Sequence, residues 1–257
     1  IKMKNPTFIK SSIIFTTIIG FILYFPLVFA NSITIERRVI VVGVGDNVVD
    51  KPVVADDAMV HTVSLYDSMQ LEAKGLSKTA FVYGVTGFYR LLRSERIEND
   101  NIISIVDFSQ PSYKKRLFVI DLAKAKIIFN TYVAHGVNSG TSLAHDFSNK
   151  IESNKSSLGF YETLNTYMGS HGYSLRLEGL EKGINDNANR RDIVIHGANY
   201  VSERMINAQG YIGRSFGCPA LPEKLYKPII NTIKNGTCLF IYSNNKSYLK
   251  KSAIING

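Results

Sequence analysis

Tryptophan is absent from this 257-residue chain, cysteine occurs twice and proline seven times. The missing tryptophan decides nothing about the fold. Two cysteines, by contrast, exclude the disulfide framework of a small secreted domain. No pair of His, Cys or acidic residues has the spacing of a zinc site in a suitable frame, so no metal is expected. The sequence has no internal repeats, and its composition lacks the marks of disorder, collagen or a coiled coil. With 45% hydrophobic residues, the chain is long enough for one large domain or two small ones.

Acidic residues are also missing at the start, where none precedes Glu36. Lys2, Lys4 and Lys10 lead into an apolar stretch from Ile13 to Phe29, broken only by Thr16, Thr17 and Pro26. The stretch ends in Val28-Phe29-Ala30, which suits signal-peptidase cleavage, so residues 1–30 read as a secretory signal. The alternative is an uncleaved membrane anchor, for which 17 apolar residues is the shortest workable length. Without Lys2, Lys4 and Lys10, the 30 basic residues still exceed the 21 acidic ones by six. Outside a membrane, such a charge draws a protein toward anionic wall polymers. Nucleic acid is not expected as a partner, since no basic-aromatic strip or binding motif is present.

Residues 31–62 are mixed in character, with Gly43, Gly45 and Pro52, and read as a linker or arm. A short helix is expected over 63–74. A clearer one comes next, with Ser77 as N-cap and an apolar stripe of Phe81, Val85, Phe88, Tyr89 and Leu92. From Asn101 the texture changes to short β-rich runs: NIISIVDF, RLFVIDL, KIIFNTYVAH, YSLRLEG, DIVIHG and TCLFIY. Gly, Asn, Ser and Pro clusters bound them, the pattern of an antiparallel sandwich or barrel. Asp121 to Lys124 reads as a hairpin turn. A late helix is expected to start at Pro222, present Leu225, Ile229, Ile230 and Ile233, and end at Asn235-Gly236. Residues 63–243 are thus one mainly β domain with a few helices and an N-terminal helical part, and 244–257 form a basic tail expected to fray.

Two segments carry the chemistry. In IHGANY, a strand delivers His196 beside Gly197, where another side chain has room to approach the ring. In GRSFGCPALP, Gly217 lets the backbone turn tightly and Pro219 stiffens the residues after the thiol, so Cys218 is presented rather than packed. Cys238, inside the apolar run TCLFIY, reads as a small buried hydrophobe. The two thiols are expected to stay unpaired. A helix starting near Pro222 favours a thiolate at 218, and backbone N–H groups of Gly217 and Cys218 could face an oxyanion. Cys218 comes 22 positions after His196, and a neutral imidazole is suited to hold a thiol's proton near pH 7. Papain-like enzymes have the opposite order.

From His196 to Pro222 the sequence resembles the active-site signature of the L,D-transpeptidases, the murein cross-linking enzymes: His196 with Gly197, then Ser215, Gly217 and Cys218. It is most similar to the murein L,D-transpeptidase catalytic-domain-like subgroup, through VAHGVNSG, SSLGFY, HGYSLRLEGL, NDNANRRDIVIHGANYVS and GRSFGCPALP. The resemblance covers residues 75–243. It departs from the commoner members at Phe216, where they carry His, and at Pro219, where they often carry Arg or Asn. The likeness implies a β-sandwich catalytic domain that uses no cofactor. It implies a Cys218 thioester at the third residue of a peptidoglycan stem peptide, with release of terminal D-Ala and transfer to an amine or water. His196 would be the base, and Ser215 would orient the loop. His171 could compensate for the missing imidazole at 216. His135, Arg214, Arg191, Gly197 and Tyr200 could line the substrate cleft. The alternatives are an L,D-carboxypeptidase or another cell-wall cysteine peptidase, and a non-catalytic peptidoglycan-binding protein. Oligomeric state and acceptor are not legible in the sequence.

Overall fold

The computed structural model describes residues 54–257; the expected signal segment and most of the 31–62 arm lie outside them. Helix α1 runs from Val54 to Ser68, earlier than the short helix expected over 63–74. Turns carry the chain from there to Gly75, with the buried Tyr66 hydroxyl donating to Leu76 O at 2.6 Å. Helix α2, Lys78–Arg93, begins as its sequence demands: the Ser77 hydroxyl accepts from Ala80 N–H at 3.2 Å. Its buried face is Ala80, Phe81, Val85, Phe88 and Leu91. Tyr89, expected in that stripe, is instead 38% exposed, since it lies one residue around from the Phe88 row.

The strands are β1 (Ile102–Asp107), β2 (Leu117–Asp121), β3 (Lys126–Thr131), β4 (Gly159–Gly169), β5 (Gly172–Gly179), β6 (Val194–Ile195), β7 (Gly197–Ala198), β8 (Leu221–Pro222) and β9 (Cys238–Tyr242). Seven form one sheet in the order β3-β2-β1-β9-β4-β5-β6, while β7 and β8 make a separate pair. The core is therefore sheet-rich with a few helices. The sheet is mixed rather than wholly antiparallel: the first and last strands in sequence, β1 and β9, pair in parallel at its centre, Ile103 opposite Cys238. Every residue of β9 is buried, as the unbroken apolar run CLFIY requires of a central strand. Helix α2 covers this centre, with Gly84 against Ile105 and Phe240 and Gly87 against the Phe160 ring.

The turn from Asp121 is the expected β2–β3 hairpin, closed by Lys124 N–H donating to Asp121 Oδ1 at 2.9 Å. β4 escapes the sequence pattern. Its second half, LNTYMG, is half-exposed and rises with β5 as a hairpin past a register shift between Thr163 and Thr166.

Between β7 and β8 lies helix α3 (Glu203–Gln209). The late helix, α4, starts at Tyr226, not at Pro222; Pro222 instead ends β8, opposite Ala198. Its buried stripe is Ile229, Ile230 and Ile233, and Asn235 and Gly236 come after it in left-handed conformations. Residues 244–257 do not fray. They form α5 (Lys246–Lys251) and α6 (Ala253–Asn256), held by Arg90 donating to Ile254 O at 2.7 Å and by Tyr248 and Ser252 hydroxyls on the buried Glu181 carboxylate.

Candidate active site

One ribbon, residues 194–198, changes partners at His196. Before it, β6 pairs with β5, Val194 opposite Arg176. After it, β7 pairs in parallel with β8, Gly197 opposite Leu221, and Leu221 N–H donates to His196 O at 2.8 Å. Counting that register back three residues sets Cys218 beside Val194. The hydrogen bonds agree: Val194 N–H donates to Cys218 Sγ at 3.5 Å, and the thiol donates to Asp192 O at 3.5 Å. Cys218 and His196 thus occupy adjacent segments, offset by two residues, or about 6.6 Å along the strand. Both cysteines are free; Cys218 is half-buried and Cys238 is in the core.

Each side chain is held by other groups. His196 Nδ1 lies 2.9 Å from Gly197 O, and because a carbonyl only accepts, Nδ1 carries the hydrogen and Nε2 keeps its lone pair. The His171 ring stacks on it, centroids 4.3 Å apart and planes 17° apart. Burial, chiefly, and then the neighbouring His171 hold the His196 imidazole below its ordinary value of 6.5, opposed by the Gly197 carbonyl. Burial pushes the Cys218 thiol up, partly offset by Val194 N–H and Arg191. The expected thiolate-favouring helix end is missing, because α4 begins eight residues beyond Cys218. The resting pair is a thiol and a neutral imidazole.

The loop around Cys218 is tightly specified. Ser215 N–H donates to His135 O at 3.0 Å, its hydroxyl donates to Cys218 O at 2.7 Å, and the same hydroxyl accepts from Gly217 N–H at 3.1 Å. Gly217 has φ +125°, and a Cβ there would meet Ile193 and Lys155 O, each at 2.9 Å. Only glycine suits this position. Since Gly217 N–H is committed to Ser215, it is not free for an oxyanion as expected. The Cys218 N–H has no acceptor among the described residues. Ser156, which the sequence did not single out, donates from its hydroxyl to Gly217 O at 3.2 Å. Its only sequence signal is its place in SSLGFY.

The sequence profile of the L,D-transpeptidase catalytic domain matches residues 72–242. The chain belongs to that family. Among curated proteins, none matches this sequence. Solved L,D-transpeptidases are similar only distantly. One from Mycobacterium smegmatis is 11% identical, with a TM-score of 0.34, over 56% of this chain and 59% of that one. The helical cell shape determining protein Pgp2 of Campylobacter jejuni is 16% identical, with a TM-score of 0.37, over 58% and 50%. An L,D-transpeptidase from Stackebrandtia nassauensis is 15% identical, with a TM-score of 0.34, over 72% and 77%. The chain thus spans about half to three-fifths of the first two. Membership rests on the profile, not on these overlaps.

In this L,D-transpeptidase family member the remaining expected residues divide sharply. His135 does not line a cleft: it is fully buried, accepts from Arg116 Nη2 at 2.7 Å on Nδ1 and donates to Gly140 O at 3.2 Å. Burial and the Arg116 cation pull its imidazole down to about 3. Arg116, missed in the sequence because nothing in RLFVIDL marks it, is buried, and no carboxylate among the described residues bonds it; it is held by Val133 O, Gln110 O, His135 and the Phe108 ring. Arg214 donates to Gly140 O at 3.1 Å, and Arg191 binds the 148–157 loop through Ser148 O at 2.7 Å and Ser157 Oγ. Both arginines are engaged with loops distant from them in sequence, Arg214 with 137–140 and Arg191 with 148–157. Gly197 is a packing position, where a Cβ would strike the Tyr226 ring at 2.5 Å. Tyr200 packs over Gly213, and burial, then the nearby Cys218, pushes its phenol up to about 12. Phe216, two residues before Cys218 in sequence, is 76% exposed. Among the described residues no helix is long and apolar enough to cross a membrane.

Proposed function

We propose that this protein is an exported cysteine acyltransferase that acts on peptidoglycan stem peptides through Cys218 and His196. The observation that carries the reading is the parallel β7–β8 register, which runs the Cys218 segment beside the His196 strand while Nε2 stays unprotonated. Hydrogen bonds between a nucleophile and its base are often long without substrate and tighten when it binds. On this reading the Cys218 thiol leaves Asp192 O when substrate binds and turns its proton toward Nε2.

On this reading, Nε2 takes the Sγ proton as sulfur attacks the carbonyl carbon of the third stem residue. The Cys218 N–H faces the oxyanion. Collapse breaks the C–N bond, the imidazolium returns its proton to the departing D-Ala amine, and a thioester remains. An amine of a second stem, or water, then displaces the thiol. Beside the strand pair, a cavity of ≈ 540 Å³ lined by neither Cys218 nor His196 carries charges of both signs, Lys115 and Lys224 with Glu203 and Glu223.

Incubation of the full chain with purified muropeptides and mass analysis of the products tests this. The expected products have lost one D-Ala and gained either an amine acceptor or water, and Cys218→Ala forms none. Turnover by purified Cys218→Ala at the wild-type rate ends the proposal. Products cut between stem residues 2 and 3 would replace it with an endopeptidase.

A further inference from the structure

The β4–β5 hairpin turns through Ser170 and His171, with Gly172 at φ +74°, and sets the His171 ring face to face on the buried His196 ring. His171 is otherwise exposed, at the tip of the hairpin. Among the described residues, hydrogen bonding fixes the His196 ring only at Nδ1, through the carbonyl of the next residue, Gly197. A single bond leaves the ring free to tilt about that contact, so the direction of Nε2 depends on what lies against the ring face.

We propose that His171 is a positioning residue: its flat ring, laid on His196, holds the imidazole plane that aims Nε2 at the Cys218 thiol. This inference rests on His196 acting as the base for Cys218. The stack acts on His196 in two ways. The first is steric, and any flat ring at 171 supplies it. The second is electrostatic. His171 is the ionisable neighbour that lowers His196 across the stack, and adjacent imidazoles oppose double protonation. The titratable group on the adjacent segment, Cys218, stays a neutral thiol, since burial pushes it up. A phenyl ring at 171 therefore keeps the platform and removes the charge, which separates the two effects.

The test reads the thiol directly and needs no substrate. The full-length protein and its His171→Ala, His171→Phe and His196→Ala variants are alkylated with iodoacetamide from pH 5 to 9, and the rate at Cys218 is measured by site-resolved mass spectrometry. Circular dichroism confirms that each variant is folded. His171→Ala should slow alkylation at pH 7 by about fivefold, and His171→Phe should restore it to within about twofold. In both, the acidic limb moves to higher pH, because His196 gains a proton more easily once the neighbouring charge is gone. A His171→Ala rate and limb equal to wild type overturns the inference, as does a Phe variant as slow as the Ala one. A His196→Ala variant that alkylates at the wild-type rate overturns the dyad itself, and the inference with it.

Discussion

The Ser215 hydroxyl accepts from Gly217 N–H at 3.1 Å and donates to Cys218 O at 2.7 Å, closing the four-residue turn that ends on the candidate nucleophile. Its N–H and C=O are used as well, toward His135 O and from Val137 N–H. The serine thus ties the thiol loop to the segment after β3. Ser215→Ala removes both side-chain bonds and leaves Gly217 N–H unpaired in a buried position, a cost of about 1–3 kcal/mol. The loss in activity should exceed the loss in stability, since the sulfur moves with the loop. Thermal melts alongside muropeptide turnover check this; a variant with wild-type turnover would show that the loop needs no such tie.

The resting protonation states fix a pH profile. His196 is held below 6.5 by burial, so it remains a competent base as the pH falls through that value. The acidic limb of turnover should therefore lie below pH 6.5, not at it. The Cys218 thiol is raised, so the pair does not preform an ion pair, and the rate should depend on one group's loss of a proton on the acid side. Turnover measured from pH 4.5 to 8 checks this. A limb at or above 6.5 would mean that His196 is more exposed to solvent, or more charge-stabilised, than its surroundings indicate.

His135 ties stability to pH in a different window. Its folded imidazole is pulled to about 3, while an unfolded chain titrates near 6.5. The unfolded state therefore binds more protons between those values, and stability is full above pH 6.5 and drains away as the pH falls toward 3. The contribution is on the order of 5 kcal/mol across that window. His135→Gln can still accept from Arg116 and donate to Gly140 O without titrating. Urea unfolding at pH 7 and pH 4 should show a smaller acid loss in the variant than in wild type. Equal losses would assign the acid sensitivity to other groups.

Helix α2 and the β2–β3 hairpin were legible because each is local: a capping serine, an apolar stripe at helical spacing, a turn closed by its own Asp121. The order and spacing of His196 and Cys218 were legible for another reason, since short segments with few solutions carry them. What the sequence hid depends on distant partners. The second half of β4 is too polar to read as a strand, and pairing with β5 alone supports it. Pro222 fits a helix start and a strand end equally, and only its parallel pairing with Ala198 decides. The tail is ordered by Glu181 and Arg90, more than 60 residues away in sequence. Arg116 closes the basic run Lys114-Lys115-Arg116, which reads as solvated, and no local pattern foretells that its last member is a buried cation satisfied by carbonyls and a neutral imidazole.

Gly87 tests how closely α2 rides on the sheet. A Cβ there would lie 2.1 Å from Phe160 Cζ and 2.4 Å from Cε1, well inside contact. The Phe160 ring cannot simply turn aside, because it is stacked on Phe240 with centroids 4.2 Å apart and planes 17° apart, and Phe240 in turn lies under Gly84. On helix propensity alone, Gly87→Ala would stabilise by about 1 kcal/mol. Overpacking of a rigid core costs about 1–3 kcal/mol, and the overlap is severe enough for that to win, giving a net destabilisation. Gly87→Ala with Phe160→Leu should recover part of the loss, since the smaller side chain yields the space. Urea unfolding of the two single variants and the double variant measures the coupling. A Gly87→Ala protein more stable than wild type would place the helix farther from β4 than the present packing does.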